Sequence, residues 1–188
     1  MTLAQNKHID DELVREIVQG DQKAFERLFH LYYKRLCQFA FLFLHSKELS
    51  EEAVSDVFVN VWFKREQLAP VRNICSYLYT AVRNQAIDCQ RTELAHAQDD
   101  IDVYELEIEY PEPLADEVME REQFHELLQK AFDTLPERCR MIARMHFNDQ
   151  LQYKEIADIL GLSRKTVEAQ IAIAKHKVQE ILKKYHFF

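Results

Sequence analysis

Residues 151–178, LQYKEIADILGLSRKTVEAQIAIAKHKV, constrain the fold of this chain more than any other stretch. Over 152–160, Tyr153, Ile156, Ala157 and Leu160 recur at the spacing of one apolar helical face, which predicts a short amphipathic helix. Gly161 follows where a helix end takes a left-handed residue, a conformation in which a Cβ would clash. Ser163 is a favourable N-cap for a second helix, and Leu162 and Val167 flank it at the positions of a hydrophobic staple. Glycine, cap and staple together predict two helices held across one sharp turn, a helix-turn-helix.

At about 100° per residue, Val167, Ile171, Ala174, Val178, Ile181 and Leu182 gather on the side of the second helix that must be buried. The opposite side carries Lys165, Ala169, Ala172 and His176, flanked by Thr166, Glu168 and Ile173. Small residues let a helix approach base edges, and an alanine methyl can touch a thymine methyl. Arg164, Lys165 and the helix N-terminus are suited to phosphate. A helical hairpin with a solvated outer face fits the same periodicity, so the pattern leaves a DNA reader and a bundle element both open.

Two glycines and four prolines in 188 residues disfavour sheet-rich folds full of tight turns, and the long amphipathic segments predict an all-α protein. No apolar run reaches the length of a membrane span, and residues 1–20 hold no signal-peptide core, so membrane insertion is not expected and the cytoplasm is the expected location. Cys37, Cys75, Cys89 and Cys139 are scattered without a CxxC pair, and the eight histidines form no HExxH, so neither a disulfide frame nor a metal site is expected. Nor does any nucleophile–base pair or glycine-rich phosphate loop point to an enzyme, a cofactor or a small-molecule substrate. The net charge of −8 is unevenly spread. Residues 1–91 hold 12 basic and 12 acidic side chains, 92–122 hold 1 and 12, and 123–188 hold 11 and 8. The acidity is confined to one segment, and the helix-turn-helix end is mildly basic.

From its start, the chain reads as a loose tail over 1–9, a short helix over 10–18 broken and recapped at Gly20-Asp21, and a long aromatic-rich helix over 22–45. Ser50, with Glu51 and Glu52, reads as the opening of a helix over 51–65. Val54, Val57, Phe58, Val61 and Trp62 form its inner stripe, while Val59 and Phe63 point outward beside Glu52, Asp56 and Asn60. Such a mixture fits a protein partner, although single exposed apolar residues are common. A helix over 72–91 then carries Tyr77, Tyr79, Arg83, Asn84, Asp88 and Arg91, a set suited to stacking on and reading unpaired bases, although the pattern alone favours a bundle helix with half-buried tyrosines. Residues 92–116, acidic with Pro111 and Pro113, read as a linker. A helix resumes over 117–134, and Leu135-Pro136-Glu137 starts the next, with Pro136 at the first helical position and 138–147 carrying Met141, Ile142 and Met145 inward.

Taken in order, DELVREIVQGDQKAFERLFHLYY, SEEAVSDVFVNVW, SYLYTAVRNQAIDCQR, LPERCRMI and YKEIADILGLSRKTVE resemble the extracytoplasmic-function (ECF) sigma factors, the subunits that give bacterial RNA polymerase its promoter specificity. The resemblance spans about residues 10–182. It implies two small helical domains joined by the acidic linker: sigma region two over 1–91, and sigma region four over 117–188, a four-helix domain containing the helix-turn-helix. By the same resemblance, Glu52, Asp56, Val59, Asn60 and Phe63 would grip core polymerase. Tyr77, Tyr79, Arg83, Asn84, Asp88 and Arg91 would bind the −10 element and its melted strand. Arg164, Lys165, Thr166, Glu168, Ala169 and Gln170 would read the −35 element, and an anti-sigma partner is expected. Ala169 and Gln170 stand where many relatives carry more polar or basic residues, and the tail 185–188 has no family role. The competing expectation is an operator-binding helix-turn-helix regulator that is not a polymerase subunit; a structural helical adaptor is a third.

Overall fold

The computed structural model describes the backbone of residues 3–96 and 131–184, with the side chains of 10–91, 131–181 and 183. Among these residues there are only helices, turns and bends, as expected of an all-α chain. The chain divides into two compact units, Met1–Leu106 and Glu107–Phe188.

In the first unit, α1 (Leu3–Val18) precedes α2 (Gln22–Leu44), α3 (Lys47–Phe63) and α4 (Ile74–His96). The last three pack against one another, and α1 lies on α2 and on a 3-10 turn at Arg65–Leu68. Asp21 caps α2, its Oδ1 accepting from the amides of Lys23 at 2.8 Å and Ala24 at 3.1 Å. Gly20, at φ 91°, makes the left-handed step between the two helices. Leu28, Leu36, Phe39, Val54, Phe58, Leu78 and Val82 are buried between α2, α3 and α4. The Phe58 ring meets Phe29 edge-on at 4.9 Å, and Phe25 lies 5.0 Å from Trp62, so the aromatic density of α2 serves packing first. Tyr32 donates to the Asp10 carboxylate at 2.8 Å and fastens α1 to α2. Burial, with Cys75 and Asp10 close by, holds that phenol well above the ordinary tyrosine range.

Several helix ends differ from the sequence reading. Helix α1 begins at Leu3, within the stretch expected to be a loose tail. The N-cap of α3 is Ser46 and not Ser50. Ser46 has extended backbone and its hydroxyl accepts from the Leu49 amide at 3.3 Å. Ser50 sits one turn inside, buried, donating to the Ser46 carbonyl. Both serines precede acids, but only Ser46 follows the left-handed residue, His45 at φ 50°, that closes α2. Glu48 therefore occupies the first turn, where the backbone amide and the Ser46 hydroxyl hold its carboxyl below the usual range. Helix α4 starts one residue past Asn73, whose Oδ1 accepts from the Ser76 amide at 3.0 Å, and it continues to His96, beyond the boundary expected at Arg91.

In the second unit, residues 131–133 are helical and are followed by α5 (Glu137–Phe147), α6 (Tyr153–Leu160) and α7 (Arg164–Lys184). Helices α5 and α6 both pack on α7. Pro136 stands at the N-cap and not at the first helical position, because its ψ of 143° is extended. Ile142, Met145, Leu151, Ile156, Ile159, Val167, Ile171 and Ala174 form the core. Ile159 was not in the apolar face read from sequence; it lies three residues from Ile156 and takes the inner position, leaving Leu160 half-exposed. Residues 117–130 of the helix expected over 117–134, most of the expected linker and the tail 185–188 lie outside the described residues.

Candidate nucleic-acid and partner-protein interfaces

The turn between α6 and α7 is built as its sequence requires. Gly161 adopts φ 64°, and the Leu162 amide donates to the Ala157 carbonyl at 2.9 Å, closing α6. The Ser163 hydroxyl accepts from the Thr166 amide at 3.1 Å and opens α7. At the start of α6, the Glu155 carboxylate accepts from the Gln152 amide at 2.8 Å. With Val167, Ile171 and Ala174 buried beneath it, α7 can present only its opposite side. Arg164, Lys165, Thr166 and Ala169 are exposed there, while Glu168 and Gln170 are half-exposed. Arg164 Nε bonds Glu168 Oε1 at 2.9 Å, across one helical turn and in water. That pair is worth a few tenths of a kcal/mol, about 0.2–0.5, so a phosphate can displace it. The face thus has two cations at the helix N-terminus, then small residues. Ile173, half exposed, extends it into an open apolar groove of about 410 Å³ shared with Leu135 and Pro136.

On α4, Tyr77, Thr80, Asn84, Asp88 and Arg91 are all exposed and share one face. Asp88 and Arg91 pair at 3.4 Å, with both side chains largely in solvent. Two of the residues expected on this face are placed elsewhere. Tyr79 is 1% exposed, with its ring edge-on to Phe39 at 4.9 Å; it is a core residue, and its assignment to nucleic-acid contact is corrected. A shift of two residues on a helix turns a side chain by about 200°, so Tyr77 and Tyr79 cannot share a surface. Arg83 lies about 100° from Asn84 and is half-buried, with its Nε out of solvent and without a hydrogen-bond acceptor among the described residues. Thr80, absent from the expected set, belongs to the exposed face by the same period.

On α3, Glu52, Asp56, Val59, Asn60 and Phe63 are all exposed, Phe63 to 77% and Val59 to 52%. The carboxylates stand beside these two large apolar groups on a helix whose inner face is fully occupied by Val54, Val57, Phe58 and Val61. One contact joins this face to α4: Gln85 Nε2 donates to Asp56 Oδ2 at 3.2 Å. Gln85 was not legible as a functional residue, because nothing in its spacing says that α3 and α4 meet there.

None of the four cysteines is joined in a disulfide, and burial pushes the Cys37 thiol up to about 11. No group of histidine, cysteine or acidic side chains among the described residues could hold a metal ion, and no helix there is long and apolar enough to cross a membrane.

Residues 28–94 match the family described as Sigma-70 region 2, and residues 125–178 match Sigma-70, region 4. The chain is similar to the ECF RNA polymerase sigma factor SigW of Bacillus subtilis, at 23% identity over 91% of this chain and 93% of the relative. It is similar also to the ECF RNA polymerase sigma-E factor of Escherichia coli, at 25% identity over 93% of this chain and 97% of that protein. Among solved structures, the sigma factor RpoE of Bartonella quintana, crystallised with the anti-sigma factor NepR, shares the fold with a TM-score of 0.52 and 23% identity over 86% of this chain and 98% of that one.

Proposed function

The chain belongs to the sigma-70 family as an ECF sigma factor, and from that premise we propose how its exposed faces divide the work of promoter-specific initiation. It is a transcription initiation factor that binds core RNA polymerase and promoter DNA. The two matched regions decide against a free-standing operator-binding regulator.

Residues 1–91 act as region two, 92–116 as the tether and 117–188 as region four. The α3 face docks on core polymerase. Phe63 and Val59 supply apolar area that water leaves on binding, and Glu52, Asp56 and Asn60 ring it with acceptors for cationic donors. The α4 face takes the −10 element. Tyr77 offers a ring on which an unpaired base stacks, and the Asn84 amide can both donate to and accept from a base edge. Arg91 holds the backbone, and Asp88, by pairing with it, keeps it extended across the helix. Arg83 supports that helix from its flank and is not a first contact. The α7 face takes the −35 element in the major groove: Arg164 and Lys165 neutralise phosphate, Thr166 and Gln170 hydrogen-bond base edges, and Ala169 gives the methyl-sized contact. Glu168 accepts from a cytosine amine or releases Arg164 to phosphate.

The polymerase performs the chemistry, and this protein supplies affinity, position and strand capture. It works in the cytoplasm, where an anti-sigma protein holds it inactive by covering one of these faces. The observation that carries the reading is the exposure of Phe63 and Val59 on an acidic face, hydrogen-bonded to the neighbouring helix α4, which exposes Tyr77 and Asn84. The test is reconstitution: purified chain and core polymerase should transcribe promoters selected from a randomised library. If the chain shifts duplex DNA unaided and adds nothing to polymerase, the assignment of faces fails.

A further inference from the structure

We infer that Gln85 is a positioning residue that couples polymerase docking to capture of the promoter strand, acting through the Asp56 carboxylate; the inference rests on the assignment of faces above. The geometry is specific. Asp56 stands in the middle of the exposed α3 face, and its Oδ2 accepts from Gln85 Nε2 at 3.2 Å, across 29 residues of sequence. The Asn60 amide, one turn further on, donates to the Asp56 backbone carbonyl at 3.0 Å. Gln85 follows Asn84 directly, about 100° around the helix from it, so whatever fixes Gln85 fixes the register of Asn84 and Asp88 toward the strand.

The coupling follows from what a carboxylate can accept. It has roughly four lone-pair sites, so Asp56 can keep Gln85 on Oδ2 while a cationic group of the polymerase approaches the remaining sites. Docking also removes water from around Asp56, and a charge-assisted hydrogen bond gains strength when water no longer competes for it. The bond is weak while both groups are solvated and stiffer once the α3 face is covered. Free, α4 presents its strand-binding face loosely; docked, that face is held. Linkage makes the effect reciprocal, so a bound strand raises affinity for polymerase by the same factor.

The test uses the full-length chain, core polymerase and a fluorescent single-stranded −10 oligonucleotide taken from a promoter on which the factor initiates. Gln85→Leu cannot donate, and Gln85→Ala repeats the test without the added bulk. In the absence of DNA both should bind core polymerase slightly more weakly than the parent, by no more than the strengthening that docking gives the Gln85 bond. At saturating polymerase both should capture the oligonucleotide about threefold to tenfold more weakly, the size of one net hydrogen bond. Asp56→Asn keeps an acceptor oxygen and loses the charge, so it should lose polymerase affinity and capture the strand at a level between the parent and Asp56→Ala. In an Asp56→Ala background, Gln85→Leu should cost nothing more. The inference is overturned if the Gln85 variants capture the strand like the parent. It is overturned equally if Gln85→Leu costs the same factor with and without Asp56, which would make Gln85 a direct DNA contact. Failure of the parent chain itself to bind polymerase would instead sink the assignment of faces.

Discussion

The exposed faces of the first unit and of α7 are made from opposite side chains. On α3 and α4 the exposed residues are large: Phe63, Val59 and Tyr77 stand in water with acids and amides between them. On α7 they are small or cationic over the first turns, where Ala169 and Ala172 follow Lys165 and Arg164, with Ile173 the large apolar exception where the face meets the groove. The difference matches the contacts proposed for each. A protein surface or an unstacked base rewards apolar area and flat rings. A major groove about 12 Å wide rewards a slim helix whose methyls and amides reach base edges. Scaffold does not distinguish them, since both faces sit on helices whose other side is core. Side-chain size, and not secondary structure, separates the faces proposed for strand and polymerase from the face proposed for duplex.

The largest expected effect lies inside the first unit, where two tyrosines two residues apart do opposite things. Tyr79→Ala removes a fully buried ring packed on Phe39 and should cost about 3–5 kcal/mol of stability. Tyr77→Ala should leave the unfolding free energy within about half a kcal/mol of the parent, as surface changes do. Denaturant unfolding followed by circular dichroism separates them. Equal losses would mean that α4 is rotated and that the large-residue face has been misassigned.

That pair also shows where sequence reading stops. The helix-turn-helix was legible because Gly161, Ser163, Leu162 and Val167 are local signals, each acting within one turn of the chain. The outward Val59 and Phe63 were legible because the inner stripe of α3 is unbroken. Tyr79 was not, because aromatic–arginine–amide composition draws attention to a helix without saying which of its sides is covered; only the packing of Phe39 from α2 decides that. The cap of α3 was missed for a related reason. Ser46 and Ser50 offer equivalent local chemistry, and the choice rests on the left-handed turn at His45, which a histidine does not announce as a glycine would. Gln85 is the extreme case, since its partner is 29 residues away.

The next effect concerns docking. Asp56→Ala with Phe63→Ala should weaken core polymerase binding by about 2–4 kcal/mol, the range of an interface hot spot, while helix content and unfolding stay at parental values. An unchanged competition curve against the parent chain would remove the α3 face from the proposal. A smaller effect is expected on α4. Tyr77→Ala and Asn84→Ala should each lower strand capture, Tyr77→Ala by about 1–3 kcal/mol for a lost stack, with little change in closed-complex binding. Permanganate reactivity of the opened segment, read beside a gel shift of the duplex, tests this. Parallel losses in both would erase the contrast between a strand face and a duplex face.

The smallest effect is the most discriminating, because it is measured as a slope. Arg164 and Lys165 lie at the N-terminus of α7, exposed, with Arg164 held only by the solvated Glu168 pair. If both neutralise phosphate, each displaces counterions from the duplex, and log K should fall with log salt about 0.9 less steeply for every phosphate contact removed. Arg164→Ala with Lys165→Ala should therefore flatten the salt dependence of holoenzyme binding to −35 duplex by somewhat under 2. Affinity should fall by a similar factor on matched and mismatched −35 sequences, since phosphate carries no base information. Gln170→Ala should do the reverse, leaving the slope alone and costing about 1–3 kcal/mol only on the matched sequence. If the double variant changes sequence preference and not the slope, its cations reach bases. The small-residue face of α7 would then begin one turn later than its exposure suggests.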